Sequence, residues 1–152
     1  SDNYLDKFLS EIKKTHNELT KKYKKRVPLV LKISPDIEDN DLEILCRQML
    51  NYEIDGVIAT NTTIDKNLLT DKSFLGNKGG VSGKPLFQKS NTLIKNIKSI
   101  VKDNIIIVGT GGITSKESAV EKLKSGADLL QLYTGLVYFG LDLIKEITGK
   151  TQ

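Results

Sequence analysis

The chain has 152 residues, a formal net charge of +4, and 38% hydrophobic against 28% charged residues, a balance that fits one globular core and argues against a disordered chain. No apolar run approaches the roughly 18 residues of a membrane-spanning helix. A single cysteine, Cys46, excludes an internal disulfide, and no His/Cys/Asp cluster has the spacing of metal ligands.

Residues 4 to 25 read as an amphipathic helix, with Leu5, Phe8, Leu9, Ile12, Leu19 and Tyr23 at helical spacing. Lys21, Lys22, Lys24, Lys25 and Arg26 fall where cations complement the carbonyl end of a helix. With only Tyr23 interleaved, they read as a solvated helix end and not as a nucleic-acid patch. His16 lies in the same helix, far in sequence from every strand end, and reads as a helix-face residue.

Val27 to Ile33 is a short apolar strand that Pro35 ends. A helix of about 41 to 51 follows, in which Cys46 shares a buried stripe with Leu42, Leu45 and Met49. Asp55 to Thr60 is a second strand. Residues 62 to 84 are a polar stretch with Gly76, Gly79, Gly80 and Gly83, and so long a loop is uncommon without a function. A helix of about 88 to 101 leads to a third strand, Asn104 to Gly109. Ser115 to Ser125 is a helix capped by Thr114 or Ser115 and closed by Gly126. Asp128 to Leu132 is the fourth strand, and the last helix runs from about 141 to 148.

A helix followed by four strand–helix units implies an α/β fold with parallel strands covered on both faces. Four βα units are half of a (β/α)8 TIM barrel; a four-stranded doubly wound sheet is the alternative. The barrel is preferred because all four strands end in chemistry-bearing residues, which a barrel gathers at one face. Residues 1–152 are then one partial domain, with two open sheet edges and a missing N-terminal half as the expected partner.

The strand ends are specific. Lys32 sits between apolar neighbours, where a buried ammonium needs a negative or electron-rich partner, or else snorkels from the strand end to solvent. Thr60-Asn61-Thr62-Thr63 offers donors and acceptors to a planar heterocycle, or merely forms a polar turn. Gly79-Gly80-Val81-Ser82-Gly83 and Gly109-Thr110-Gly111-Gly112 let backbone N–H groups approach a phosphate. Tyr133-Thr134 after the fourth strand reads as a barrel-rim aromatic with a turn Thr, or as backbone and hydroxyl contacts to the same phosphate. Together these suit a phosphorylated, redox-active cofactor.

Five motifs then carry a resemblance: Leu31-Lys32-Ile33-Ser34-Pro35-Asp36, Asp55-Gly56-Val57-Ile58-Ala59-Thr60-Asn61-Thr62-Thr63, Gly79-Gly80-Val81-Ser82-Gly83-Lys84-Pro85-Leu86, Gly111-Gly112-Ile113 and Gln131-Leu132-Tyr133-Thr134. They resemble the class 2, quinone-dependent dihydroorotate dehydrogenases of bacterial type, most closely from about Val27 to Ile147. The resemblance implies an FMN-containing barrel that oxidises dihydroorotate to orotate in pyrimidine (UMP) biosynthesis and passes electrons to a quinone. It implies a peripheral place on the cytoplasmic side of the inner membrane.

By the same resemblance, Lys32 lies beside the flavin edge and supports its reduced form electrostatically. Thr60, Ser82, Gly83, Gly111, Gly112, Tyr133 and Thr134 hold the rest of FMN, and Asn61 and Thr62 bind the orotate ring and carboxylate. No metal and no nucleic-acid partner is expected. The family's catalytic base, a Ser in an Asn-rich loop, and its quinone tunnel have no counterpart in this sequence. The chain therefore reads as the C-terminal half of such an enzyme, inactive by itself. A non-catalytic, phosphate-binding half barrel that self-associates is the rival reading.

Overall fold

Short runs of β-branched residues and leucine form four parallel strands: β1 (Val30–Ile33), β2 (Gly56–Ala59), β3 (Ile106–Thr110) and β4 (Leu129–Gln131). These come from a computed structural model that describes residues 2–149. The strands lie in the order β1-β2-β3-β4, so each pairs with the next in sequence. Five α-helices alternate with them: α1 (Asp2–Tyr23), α2 (Asp39–Asn51), α3 (Phe87–Val101), α4 (Lys116–Lys124) and α5 (Thr134–Thr148). Sequential parallel order with one helix per crossover is the wall of a (β/α) barrel, here four units of it.

The two sheet faces differ. Ile33, Val57, Ala59 and Ile107 are buried beneath Leu9 of α1, Leu42, Cys46 and Met49 of α2, and Ile94, Ile97 and Val101 of α3. Each of the Val, Leu, Ile and Met side chains contributes roughly 1.5–3 kcal/mol on burial. On the opposite face Val30, Ile106 and Leu129 are 38%, 49% and 57% exposed. This corrects the expectation of a sheet covered on both sides: the helices cover one face, and the face that would line a barrel interior is open among the described residues. Register places Lys32, Ile58, Val108 and Leu129 in one row across that open face.

Cys46 is fully buried, and burial raises its thiol to about 11. It is a small core residue, as its helical stripe implies. The basic cluster does close a helix, with Lys21 and Lys22 in the last turn of α1. His16 on α1 meets the Val27 carbonyl at 2.6 Å, on the side of the fold away from the strand ends. No described helix is long and apolar enough to cross a membrane.

Other boundaries move for physical reasons. The stretch from 62 to 84 is not structureless. It contains 3-10 turns at Lys66–Leu68, Lys72–Gly76 and Lys84–Leu86, and an antiparallel Thr63–Val81 bridge draws its ends together. The last helix starts at Thr134, not 141; Gly140, at φ 64, interrupts it at the point where the sequence suggests a beginning. α4 opens on a capping box: Ser115 Oγ accepts from the Ser118 N–H, and Ser118 Oγ accepts from the Ser115 N–H.

One carboxylate ties the lower end of the sheet together. Asp55 accepts from the Leu29 N–H at 2.7 Å and from Arg26 at 2.5 Å, while its own backbone bonds Leu29 and Ile106. Burial raises the Asp55 carboxyl, but the Leu29 N–H and the Arg26 guanidinium outweigh it and hold it below its ordinary 3.8. Ionised Asp55 therefore stabilises the fold above pH 3.8, and that contribution disappears as pH falls through the lowered native value. Asp55→Asn is expected to cost about 1–3 kcal/mol at pH 7, measured by urea unfolding. The difference from wild type should shrink in acid; a gap that stays constant from pH 7 to pH 3 would refute this role.

Candidate functional site

The C-terminal ends of all four strands open into one pocket of about 170 Å³. Its lining includes Lys32 from β1; Thr60, Asn61 and Thr62 from the end of β2; Ser82 and Gly83; Gly111 and Gly112 after β3; and Tyr133 and Thr134 after β4. All ten residues singled out in the sequence line it.

Lys32 projects from the open sheet face and is exposed, which corrects the expectation of a buried ammonium. It makes no hydrogen bond among the described residues. β1 fixes its direction: its neighbours Leu31 and Ile33 turn toward the helices, so alternation sends Lys32 the other way.

Beyond β2, the Asn61 N–H donates to the Ile33 carbonyl at 2.7 Å and extends the ladder by one step. The Ala59–Thr60 peptide is cis. Thr60 is buried, and its Oγ1 donates to the Asn61 carbonyl at 2.7 Å. The side chains of Asn61 and Thr62 are exposed into the pocket and unengaged among the described residues. Gly80 is needed beside them, because a Cβ there would lie 2.2 Å from Thr62 Oγ1.

A polar clamp holds this strand end. Asp36 accepts from Thr63 Oγ1, from Lys89 Nζ at 2.5 Å and from the Ile64 N–H at 2.9 Å. Burial raises its carboxyl, but Lys89, Thr63 and the Ile64 N–H together keep it below the ordinary range. The clamp joins the β1 loop, the β2 loop and α3, and so sets where Asn61 and Thr62 stand. Lys66 closes the long loop by donating to the carbonyls of Asn77 and Gly79.

The opposite wall is built from glycines and hydroxyl side chains. Gly83, Gly111 and Gly112 have φ of 71°, 102° and 74°, a region glycine enters without strain. Their backbone N–H groups donate no hydrogen bond among the described residues. Ser82 and Thr134 stand together, Thr134 Oγ1 donating to Ser82 Oγ at 3.0 Å. Thr134 also begins α5, and its first two residues, Thr134 and Gly135, line the pocket. Free N–H groups around a concavity, with two hydroxyls and a helix start, match a phosphate monoester.

Several further lining residues stood in or beside the quoted motifs without an assigned role. Thr110 and Gln131 pair in register at the tips of β3 and β4 and face the pocket; Leu86, Ile113, Leu132 and Gly135 complete it. Period-two alternation from Lys32's face could have flagged the two polar ones. Tyr133 belongs to the lining, but its side chain is largely exposed.

A family model described as dihydroorotate dehydrogenase matches residues 4–152. Among curated proteins, a dihydroorotate dehydrogenase (quinone) of Aliivibrio salmonicida is 42% identical over 145 residues, 95% of this chain. One of Idiomarina loihiensis is 47% identical over the same length. The chain spans 43% of the length of each of these relatives. Among solved structures, a ligand-free DHODH of Eimeria tenella aligns at TM-score 0.77 and 27% identity, covering 82% of this chain and 34% of that one. A DHODH of Eimeria tenella in complex with ferulenol aligns at TM-score 0.83 and 22% identity, covering 98% of this chain and 43% of that one, and speaks for the fold alone.

Proposed function

Since the chain belongs to the dihydroorotate dehydrogenase family, we propose that it supplies the FMN site and part of the substrate site of an enzyme that oxidises dihydroorotate to orotate in pyrimidine biosynthesis. One observation carries this reading. Lys32, the unengaged Asn61 and Thr62, and the free N–H groups of Gly83, Gly111 and Gly112 meet in a single pocket. A cation, an amide–hydroxyl pair and an anion nest are what a flavin phosphate and a small heterocyclic carboxylate require.

The residues divide the work as follows. FMN, when bound, supplies the two-electron acceptor. Gly83, Gly111, Gly112, Ser82, Tyr133 and Thr134 bind its phosphate and ribityl chain. Lys32 and Thr60 hold the ring, with the Lys32 charge set against the negative charge that develops there on reduction. Asn61 presents an acceptor and two donors to the substrate ring, and Thr62 a hydroxyl to its carboxylate. The Ser base that the resemblance implies, in an Asn-rich loop, has no counterpart in this sequence. We therefore assign the proton acceptor to a residue outside the 152 described by this sequence, and infer that these residues alone do not turn over dihydroorotate. The electron acceptor is proposed to be a quinone, as the relatives' names state for them, reached at the cytoplasmic face of the inner membrane.

The test is the visible spectrum of the intact protein under anaerobic conditions. A bound flavin band that bleaches on adding dihydroorotate is expected. A protein that binds no flavin, or a flavin untouched by dihydroorotate, would overturn the reading. A second reading rests on the open apolar face: a non-catalytic, phosphate-binding half barrel that self-associates through it. Concentration-dependent dimerisation with no flavin affinity, in sedimentation velocity, would select that one.

A further inference from the structure

Behind the glycine wall lies a lysine that the proposed chemistry leaves unused. Lys122 of α4 is fully buried, while Val120 and Leu123 on the same helix are 40% and 43% exposed. A helix that turns its lysine inward and its valine and leucine outward opposes the hydrophobic driving force. The buried cation also has no carboxylate in salt-bridge contact among the described residues. Its Nζ donates to Ser90 Oγ at 2.5 Å and to Asn91 Oδ1 at 2.7 Å, and lies 4.9 Å from the centre of the Phe87 ring. Glu121 is reached only through Asn91, whose Nδ2 stands 3.4 Å from Glu121 Oε1.

Each of these contacts leads to the phosphate wall. Ser90 Oγ shares its proton between the carbonyls of Phe87 at 3.1 Å and Gly111 at 3.4 Å. Gly112 rests on the backbone of Phe87, where a Cβ would lie 2.8 Å from the Phe87 Cα. The Lys122 stem fills the space beside Gly109, where a Cβ would lie 2.9 Å from the Lys122 Cγ. Gly109 thus packs on Lys122 directly, and Gly111 and Gly112 on its partners Ser90 and Phe87. Burial lowers Lys122 to about 8, so it remains mostly charged at neutral pH.

We propose that Lys122 is a positioning residue for cofactor phosphate: held by the first turn of α3, it fixes the Gly109–Gly112 turn and places a desolvated positive charge behind the N–H groups that receive the dianion. This rests on the flavin reading above. The ligand's negative charge then supplies the counter-charge that the resting fold lacks, and the low-dielectric surroundings keep that attraction from being screened.

The experiment compares FMN with riboflavin, which lacks the phosphate, by flavin-fluorescence titration of the intact protein stripped of flavin. Lys122→Met is expected to raise the FMN dissociation constant by about tenfold or more and to leave that of riboflavin within twofold. Equal losses for both flavins would reduce Lys122 to a support of the fold, and an unchanged FMN affinity would remove it altogether; either overturns the proposal. If Lys122→Met shows no cooperative unfolding, Ser90→Ala decides. That variant severs the link to Gly111 while leaving the lysine in place. It should weaken FMN selectively, by about threefold, and no selective loss would sink the idea. Wild-type protein that binds neither flavin would overturn the flavin reading itself, and this proposal with it.

Discussion

In the intact protein, Lys32→Met is expected to slow reduction of the bound flavin by dihydroorotate by about 10²–10³-fold, with little change in melting temperature. The asymmetry follows from its surroundings. Lys32 is exposed, makes no hydrogen bond among the described residues and fills no core space, so its loss should move stability by under about 0.5 kcal/mol. Its effect arises once a ligand covers it. The row it occupies continues with Ile58, Val108 and Leu129, and an apolar row beneath a bound ring excludes water, so the ammonium acts through a low dielectric. Anaerobic stopped-flow absorbance measures the rate. A loss below threefold would mean that Lys32 contributes only to binding, if to anything.

Gly112→Ala should abolish tight FMN binding, raising its dissociation constant by about 100-fold or more, and lower stability by about 1–3 kcal/mol. Two penalties coincide at this position. Its φ is 74°, which an alanine tolerates poorly, and a Cβ would stand 2.5 Å from the Phe87 Cβ and 2.8 Å from the Phe87 Cα. Since the obstacle includes backbone at the start of α3, relief requires moving the phosphate wall. Gly140→Ala separates the two penalties: its φ is 64°, yet nothing lies within 4 Å of the added Cβ. It should cost stability only and leave FMN affinity within twofold. Isothermal titration and thermal melts of both variants give the comparison; equal FMN affinities in the two would disprove the steric account.

The strand-and-helix order was legible because the apolar runs are short and each ends in a polar or glycine-rich tip. Those tips also made the pocket legible, since parallel order brings all of them to one end. What could not be read is where a strand is covered once. Ile107 and Val108 are alike in sequence, but one lies under helices and the other on the open face. The start of α5 was hidden by Gly135 and Gly140 and by Val137, Tyr138 and Phe139, all weak helix formers. Lys122 was illegible for a sharper reason. Hydrophobic periodicity in α4 favours Val120 and Leu123 as the inward face, and only the surroundings of Ser90, Asn91 and Phe87 reverse it. Asp36 ends one of the quoted motifs, but Lys89 belongs to none and lies far along the chain, so their clamp emerges only from the fold.

The pairing of every strand with its immediate successor bears on how the molecule is made. β1 and β2, and β3 and β4, meet after one short helical crossover each, and only the β2–β3 connection carries a long loop, so little chain must be closed before most pairings become favourable. As residues leave the ribosome in order, β1 and β2 can join with α2 before β3 exists, and β3 can add to a surface already built. The pocket comes last in that sequence. Thr134 and its hydroxyl partner Ser82 meet across 52 residues, only when β4 has docked, so competence to hold an anion reports that assembly of this stretch is finished.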